Sequence, residues 1–146
     1  MSVDVQTEIE IGRPRAEVSA YASDPDNATA WYENITSVEW ETEKPAVVGS
    51  RIAFVAQFLG HRLAYTYEVQ AMTPGELFVM STAQGPFPME TTYTWADAGD
   101  GATRMTLPNR GEPSGFAKVG APVMAAQMRR ANRQDLLRLK EILEAG

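Results

Sequence analysis

The chain contains no cysteine among its 146 residues and a single histidine, His61. Without thiols there is no disulfide framework, no thiolate metal site and no cysteine nucleophile. Any Ser-His-Asp or His-metal arrangement would have to use His61, which the sequence puts at a hairpin tip as a solvated turn residue. The motifs of zinc proteases, serine hydrolases and phosphate loops are missing, and Gly99-Asp-Gly101 fits a hairpin turn better than a nucleotide loop. Asp24 and Asp26 flank a proline, where capping is a commoner role than ligation. Neither a metal nor a cofactor is expected.

Positive charge is scarce too. Thirteen Lys and Arg against nineteen Asp and Glu leave a net charge of -6, the wrong sign for neutralising phosphates, so nucleic acid is not an expected partner. Lys118, Arg129, Arg130, Arg133, Arg138 and Lys140 form one local exception. They read first as a solvated helix face, with contact to an anionic membrane or protein as the alternative. No stretch approaches the roughly 20 apolar residues of a membrane span, and MSVDVQTEIE is no secretory leader. A soluble cytoplasmic protein with one domain over residues 1–146 is expected, with a homodimer left open.

What the sequence does have is alternation. Val3, Val5, Thr7, Ile9 and Ile11 share one face of an N-terminal strand and Asp4, Gln6, Glu8 and Glu10 the other. Pro14 suits the first turn of a short helix with Val18, Tyr21 and Ala22 on its apolar stripe, stopped at Asp24-Pro25. A second short helix, capped by Asp26 or Asn27, carries Trp31 and Tyr32 and leads to a strand from about Ile35 to Glu43.

From Ser50 to Arg110 the pattern is a meander of hairpins. A turn at Gly60-His61 pairs Phe58 with Leu63, Ala56 with Tyr65, Phe54 with Tyr67 and Ile52 with Val69. One at Pro74-Gly75 sets Ala71 against Phe78 and Val69 against Met80. A third at Gly85-Pro86 sets Thr82 against Met89, Met80 against Thr91 and Phe78 against Tyr93. Thr103, Met105, Leu107 and Asn109 then lie beside Trp95, Tyr93, Thr91 and Met89. The inner face so defined carries no charge, whereas Arg51, Arg62, Glu68, Glu90 and Arg104 fall outside. Phe116 to Gly146 reads as one long helix in two parts. Leu136, Leu139 and Leu143 grip the core, while Gly120, Pro122, Met124 and Met128 loosen the near half beside the hairpin tips.

A strand, two short helices, a six-stranded antiparallel run and a long helix make an α+β, helix-grip (START/Bet v 1-like) order, with a curved seven-stranded sheet around the C-terminal helix. The sequence resembles the START-like or SRPBCC superfamily, and within it the polyketide cyclase/dehydrase-like group of small bacterial proteins. The residues carrying the resemblance are Ile11-Gly-Arg-Pro14 with Val18, Ser23-Asp-Pro25 with Trp31, Gly85-Pro86, Gly101-Ala-Thr103-Arg104, and Asp135-Leu136, Leu139-Lys140 and Leu143-Glu144. The resemblance implies an apolar cavity between sheet and helix, used across the superfamily for lipids, sterols, polyketides and other hydrophobic metabolites.

Binding of a hydrophobic small molecule of lipid, polyketide or aromatic type is the expected function. The contacts expected are Phe54, Tyr65, Tyr67, Phe78, Met80, Met89, Tyr93, Met105, Asn109, Val123, Met124 and Gln127, with Trp31, Phe87 and Phe116 around the mouth. Gln127, Arg129 and Asn132 are the helix positions most able to look inward. An aromatase/cyclase or related lyase is the alternative, with Tyr65, Tyr67 and Asn109 as weak catalytic candidates. A protein- or membrane-interaction module is the third reading. Because the inner face offers tyrosines and amides but no carboxylate or histidine, binding is preferred to catalysis.

Overall fold

The computed structural model describes residues 3–58, 60–84, 88–111 and 121–145, without the side chains at 3, 58, 61 and 121. Strand β1 (Val3–Ile11) leads into helix α1 (Arg15–Ala22), a 3-10 turn (Pro25–Asn27) and the single-turn α2 (Ala28–Trp31). Strands β2 (Ile35–Trp40), β3 (Arg51–Phe58), β4 (His61–Thr73), β5 (Leu77–Gln84), β6 (Met89–Asp97) and β7 (Thr103–Gly111) follow, then helix α3 (Ala121–Ala145). The strands form one curled antiparallel sheet in the order β1-β7-β6-β5-β4-β3-β2. This is the expected helix-grip architecture.

Alternation sets the faces as the strands require. In β1, Val5 and Ile11 are buried while Asp4, Gln6, Glu8 and Glu10 face solvent. The outer face carries cross-strand ion pairs, Arg51 with Glu68 at 3.1 Å, Arg104 with Glu10 at 3.2 Å and Arg110 with Glu90 at 2.9 Å. Such exposed pairs add little stability, but they agree with the polarity expected of that face.

The pairings differ from the expected ones in three places. Phe58 faces His61, so Phe54 pairs with Tyr65 and Ile52 with Tyr67. The turn closes one residue earlier than expected, with Gly60 at φ 81°. Between β6 and β7, Thr91 faces Asn109 and Trp95 faces Met105. Both slips are by two residues, and side chains repeat every two, so each preserves the face. The third difference flips one: a bulge between Val69 and Ala71 keeps Val69 opposite Met80 but puts Met72, not Ala71, opposite Phe78. The pairs Phe78–Tyr93 and Met80–Thr91 are as expected.

The short elements also depart in detail. Asn27 holds the N-cap position of α2 without a side-chain capping bond, and Asp24 caps the 3-10 turn before it, its side chain accepting from the Asp26 N–H at 3.0 Å. Asp26 instead accepts from Trp40 Nε1 at 2.8 Å and pairs with Lys44 at 2.7 Å. β2 ends at Trp40 rather than near Glu43. Helix α3 is described from Ala121 to Ala145; its expected start at Phe116 lies outside the described residues, and with it the question of whether Pro122 bends the helix. Gly120, the Gly85-Pro86 turn and the junction after Gly111 lie outside the described residues.

Helix α3, about 37 Å long at 1.5 Å per residue, grips the sheet through one stripe. Its far half buries Leu136, Leu139 and Leu143 in the main core with Ile11, Val18, Trp31, Ile52, Phe78, Trp95 and Leu107. Its near half buries Met124 and Met128 in a second cluster with Val5 and Leu63. The far end is pinned to the α1 entrance. Glu144 accepts from the Gly12 N–H at 2.7 Å, and Arg13 Nε donates to the Leu143 carbonyl at 2.8 Å.

Candidate functional site

Between the two clusters gripped by α3 lies a pocket of about 150 Å³. Its sheet wall comprises Phe54, Ala56, Leu63, Tyr65, Tyr67, Phe78, Met80, Met89, Thr91, Tyr93 and Asn109, all from the inner face of β3 to β7. The helix wall is Met124, Met128, Ala131, Asn132 and Asp135, and residues around α1 and α2, among them Pro25, Ala28 and Tyr32, close a third side. Gly111 completes the wall next to Met89, its strand partner. A Cβ there would come within 2.8 Å of the Pro88 carbonyl oxygen, so glycine is what allows the approach.

Nine of the fifteen residues expected at the site line this pocket: Phe54, Tyr65, Tyr67, Phe78, Met80, Met89, Tyr93, Asn109 and Met124. Four do not. Trp31 and Met105 are packed into the core beneath it, because α2 turns Trp31 toward the Tyr93 ring, 5.7 Å away, and gives the lining position to Tyr32. Val123 is 55% exposed, and Gln127 lies beside the pocket stripe rather than on it. Phe87 and Phe116 fall outside the described residues. Of the three polar helix candidates, Asn132 is the one that faces in, and Arg129 is exposed.

The polar groups of the pocket are mostly paired. The Tyr32 and Tyr93 hydroxyls share a hydrogen bond at 2.5 Å. Tyr67 donates to Met89 Sδ at 3.9 Å, and Thr91 Oγ1 donates to Asn109 Oδ1 at 3.5 Å. Burial pushes the hydroxyls of Tyr32, Tyr65, Tyr67 and Tyr93 above the usual phenol range, so all four are neutral donors.

Asp135 overturns the expectation that no carboxylate looks inward. It is 3% exposed and lines the pocket from α3, one turn from Asn132. Burial raises its carboxyl to about 7, opposed by the hydrogen bond it accepts from the Glu33 N–H at 3.0 Å and helped by the negative charge of Glu33. A buried carboxyl that titrates near neutrality can accept or release a proton at working pH. The Asn132 Nδ2 is buried with no hydrogen-bond partner among the described residues.

A signal for both residues was present in the sequence. Extending the Leu143, Leu139 stripe backwards in steps of three and four lands on Asp135, Asn132, Met128 and Met124 in turn. Arg, Gln and Leu neighbours made Asp135 look like part of a charged face.

A curled sheet closed by one long helix, with an apolar pocket between them, defines the START-like class. The chain belongs to the family described as "Polyketide cyclase / dehydrase and lipid transport", whose family model matches residues 2–144. Among solved structures it is similar to TTHA0849 of Thermus thermophilus, at 21% identity and TM-score 0.82 over 98% of this chain and 99% of that one. A START superfamily protein of Mycobacterium smegmatis gives 14% identity and TM-score 0.82 over 97% of each chain. The Zhui aromatase/cyclase of Streptomyces sp. R1128 gives 13% identity and TM-score 0.79 over 99% and 94%. At these identities the likeness is one of fold. No curated protein matches the chain.

Proposed function

We propose that the chain is a single ligand-binding domain that takes a small hydrophobic molecule into the pocket between sheet and helix. The observation that carries this is the lining itself: six aromatic rings, Tyr32, Phe54, Tyr65, Tyr67, Phe78 and Tyr93, with the thioethers of Met80, Met89, Met124 and Met128 around a cavity of about 150 Å³. Protein interiors are otherwise packed to crystal density, so a hollow of this size within apolar walls is kept open against the tendency to collapse. The family description, with its lipid transport and cyclase members, supports the same reading. Native mass spectrometry of freshly purified protein tests it, with a retained hydrophobic molecule as the expected result. A protein that emerges bare and gives no binding heat with small aromatic hydrocarbons would sink it.

A second reading, cyclase or lyase chemistry in the same pocket, is favoured by one observation. Asp135, near neutrality, lies close to the Tyr32–Tyr93 pair and raises both hydroxyls through its charge. Acid-base chemistry on a polyketone would then run through Asp135, with the tyrosines polarising a carbonyl. Turnover that survives Asp135→Asn with binding intact would exclude that role.

A further inference from the structure

Among the described polar groups of the pocket, Asn132 and Asp135 each leave a hydrogen-bonding position open. Asn132 is 5% exposed and its Nδ2 donor is without a partner among the described residues. An orphaned buried donor is costly, and where it lines a pocket an acceptor arriving from outside would satisfy it. One helical turn away, Asp135 commits Oδ1 to the Glu33 N–H and has Oδ2 left to accept. Residues three apart on a helix stand side by side, and both line the same pocket.

We propose that Asn132 and Asp135 form a hydroxyl subsite, and that the ligand is an uncharged single-ring compound bearing one hydroxyl, a phenol in chemical class. The inference rests on the pocket being a ligand site and says what that site selects. A hydroxyl both donates and accepts well through the same oxygen. It donates to Asp135 Oδ2 and accepts from Asn132 Nδ2. A ketone could only accept, leaving the carboxylate unmatched; an ammonium group, which only donates, would leave the amide donor unmatched. A carboxylate would bring a second negative charge against Asp135 in a poorly solvated site, which is costly. The rest of the ligand meets aromatic rings and methionine sulfurs, surroundings that favour another ring. A volume of about 150 Å³ is on the scale of one substituted benzene.

The groups facing Asp135 are consistent with this. Tyr32 before β2 and Tyr93 on the sheet, both acted on by its charge, are neutral donors, and among the described residues Glu33 is the further acid acting on it. No cation among the described residues is among the groups that shift it, so the described lining offers an anionic ligand no counter-charge.

Isothermal titration calorimetry at pH 8, where the Asp135 carboxyl is mostly ionised, tests the assignment with four probes: ethylbenzene, 4-ethylphenol, 4-ethylbenzaldehyde and 4-ethylbenzoate. The expected order is phenol tightest, by roughly threefold to tenfold over ethylbenzene, the size of one net hydrogen bond, with the benzoate weakest. Asn132→Leu, close in shape, brings the phenol down to the hydrocarbon while ethylbenzene binding persists and reports an intact fold. Asp135→Asn can keep the Glu33 contact through its carbonyl and present an NH₂ to the pocket, so it reverses the preference, taking 4-ethylbenzaldehyde above 4-ethylphenol. A change that merely loosened the fold would weaken both alike. A wild-type protein that binds ethylbenzene and 4-ethylphenol equally, or an Asn132→Leu variant that keeps the phenol preference, overturns the subsite and leaves the pocket standing. If none of the probes binds, both readings fall together.

Discussion

The hydroxyls of Tyr32 and Tyr93, 61 positions apart in sequence, meet at 2.5 Å inside the pocket wall and tie the end of α2 to the middle of β6. Each is the other's partner in a place that water reaches poorly. Tyr32→Phe and Tyr93→Phe are each expected to cost about 1 kcal/mol, and the double variant less than the sum, because removing one hydroxyl already orphans the second. Urea titrations of the four proteins give the coupling directly, and strict additivity would mean that the contact contributes nothing.

Asp135 makes stability depend on pH in a definite direction. Burial holds its carboxyl at about 7 in the folded protein, against 3.8 for an ordinary aspartate. Between those values the folded state carries a proton that the unfolded state has lost, so this group's contribution falls as pH rises from about 4 to 7 and is flat above. Asparagine carries no such proton. Asp135→Asn should therefore gain on the wild type across that window by on the order of 2–4 kcal/mol. Denaturation midpoints at pH 5, 6, 7 and 8 check this, and parallel pH profiles would contradict it.

The two halves of α3 should respond differently to substitution. Leu139 is fully buried in the main core, and Leu139→Ala is expected to cost about 2–5 kcal/mol through lost burial and the cavity left behind. Ala131 lines the pocket and is only half-buried. Ala131→Phe should occupy the hollow, lowering affinity for a small aromatic probe about tenfold or more while changing stability by no more than about 1 kcal/mol. Calorimetry and urea titration on both proteins separate anchor from wall.

Glu144 is the pin between the last turn of α3 and the start of α1, holding the Gly12 N–H at 2.7 Å and Lys140 at 2.6 Å. Its neighbours, Lys140 first, keep its carboxyl below the usual range. Glu144→Ala should leave the Gly12 amide and the final turn of α3 exchanging hydrogen faster, with the Leu136 region unchanged. Hydrogen-exchange mass spectrometry reads this, and uniform protection would show that the pin is dispensable.

Nearly all of the sheet face was legible because polarity repeats every two residues. Slips at Gly60 and between β6 and β7 moved partners by two and left Phe54, Tyr67, Tyr93 and Asn109 facing inward. The bulge near Gln70 was not legible, since an extra residue in one strand leaves no compositional mark, and it decided whether Met72 or Ala71 faced the core. Trp31 and Tyr32 illustrate a second limit: adjacent aromatics on one helical turn cannot be told apart by pattern, and packing alone decides which lines the pocket. Asp135 shows a third, since a carboxylate at a stripe position looks like surface until the stripe is followed through it.

The ladder between β1 and β7 joins residues roughly a hundred positions apart. On a ribosome adding about 5–20 residues per second, Val5 and Ile11 therefore wait several seconds for the strand that pairs with them, and longer for α3, which packs over β1. The helix wall of the pocket, Met124 to Asp135, lies C-terminal to every strand of the sheet wall, so the pocket is complete only once α3 has been made and packed.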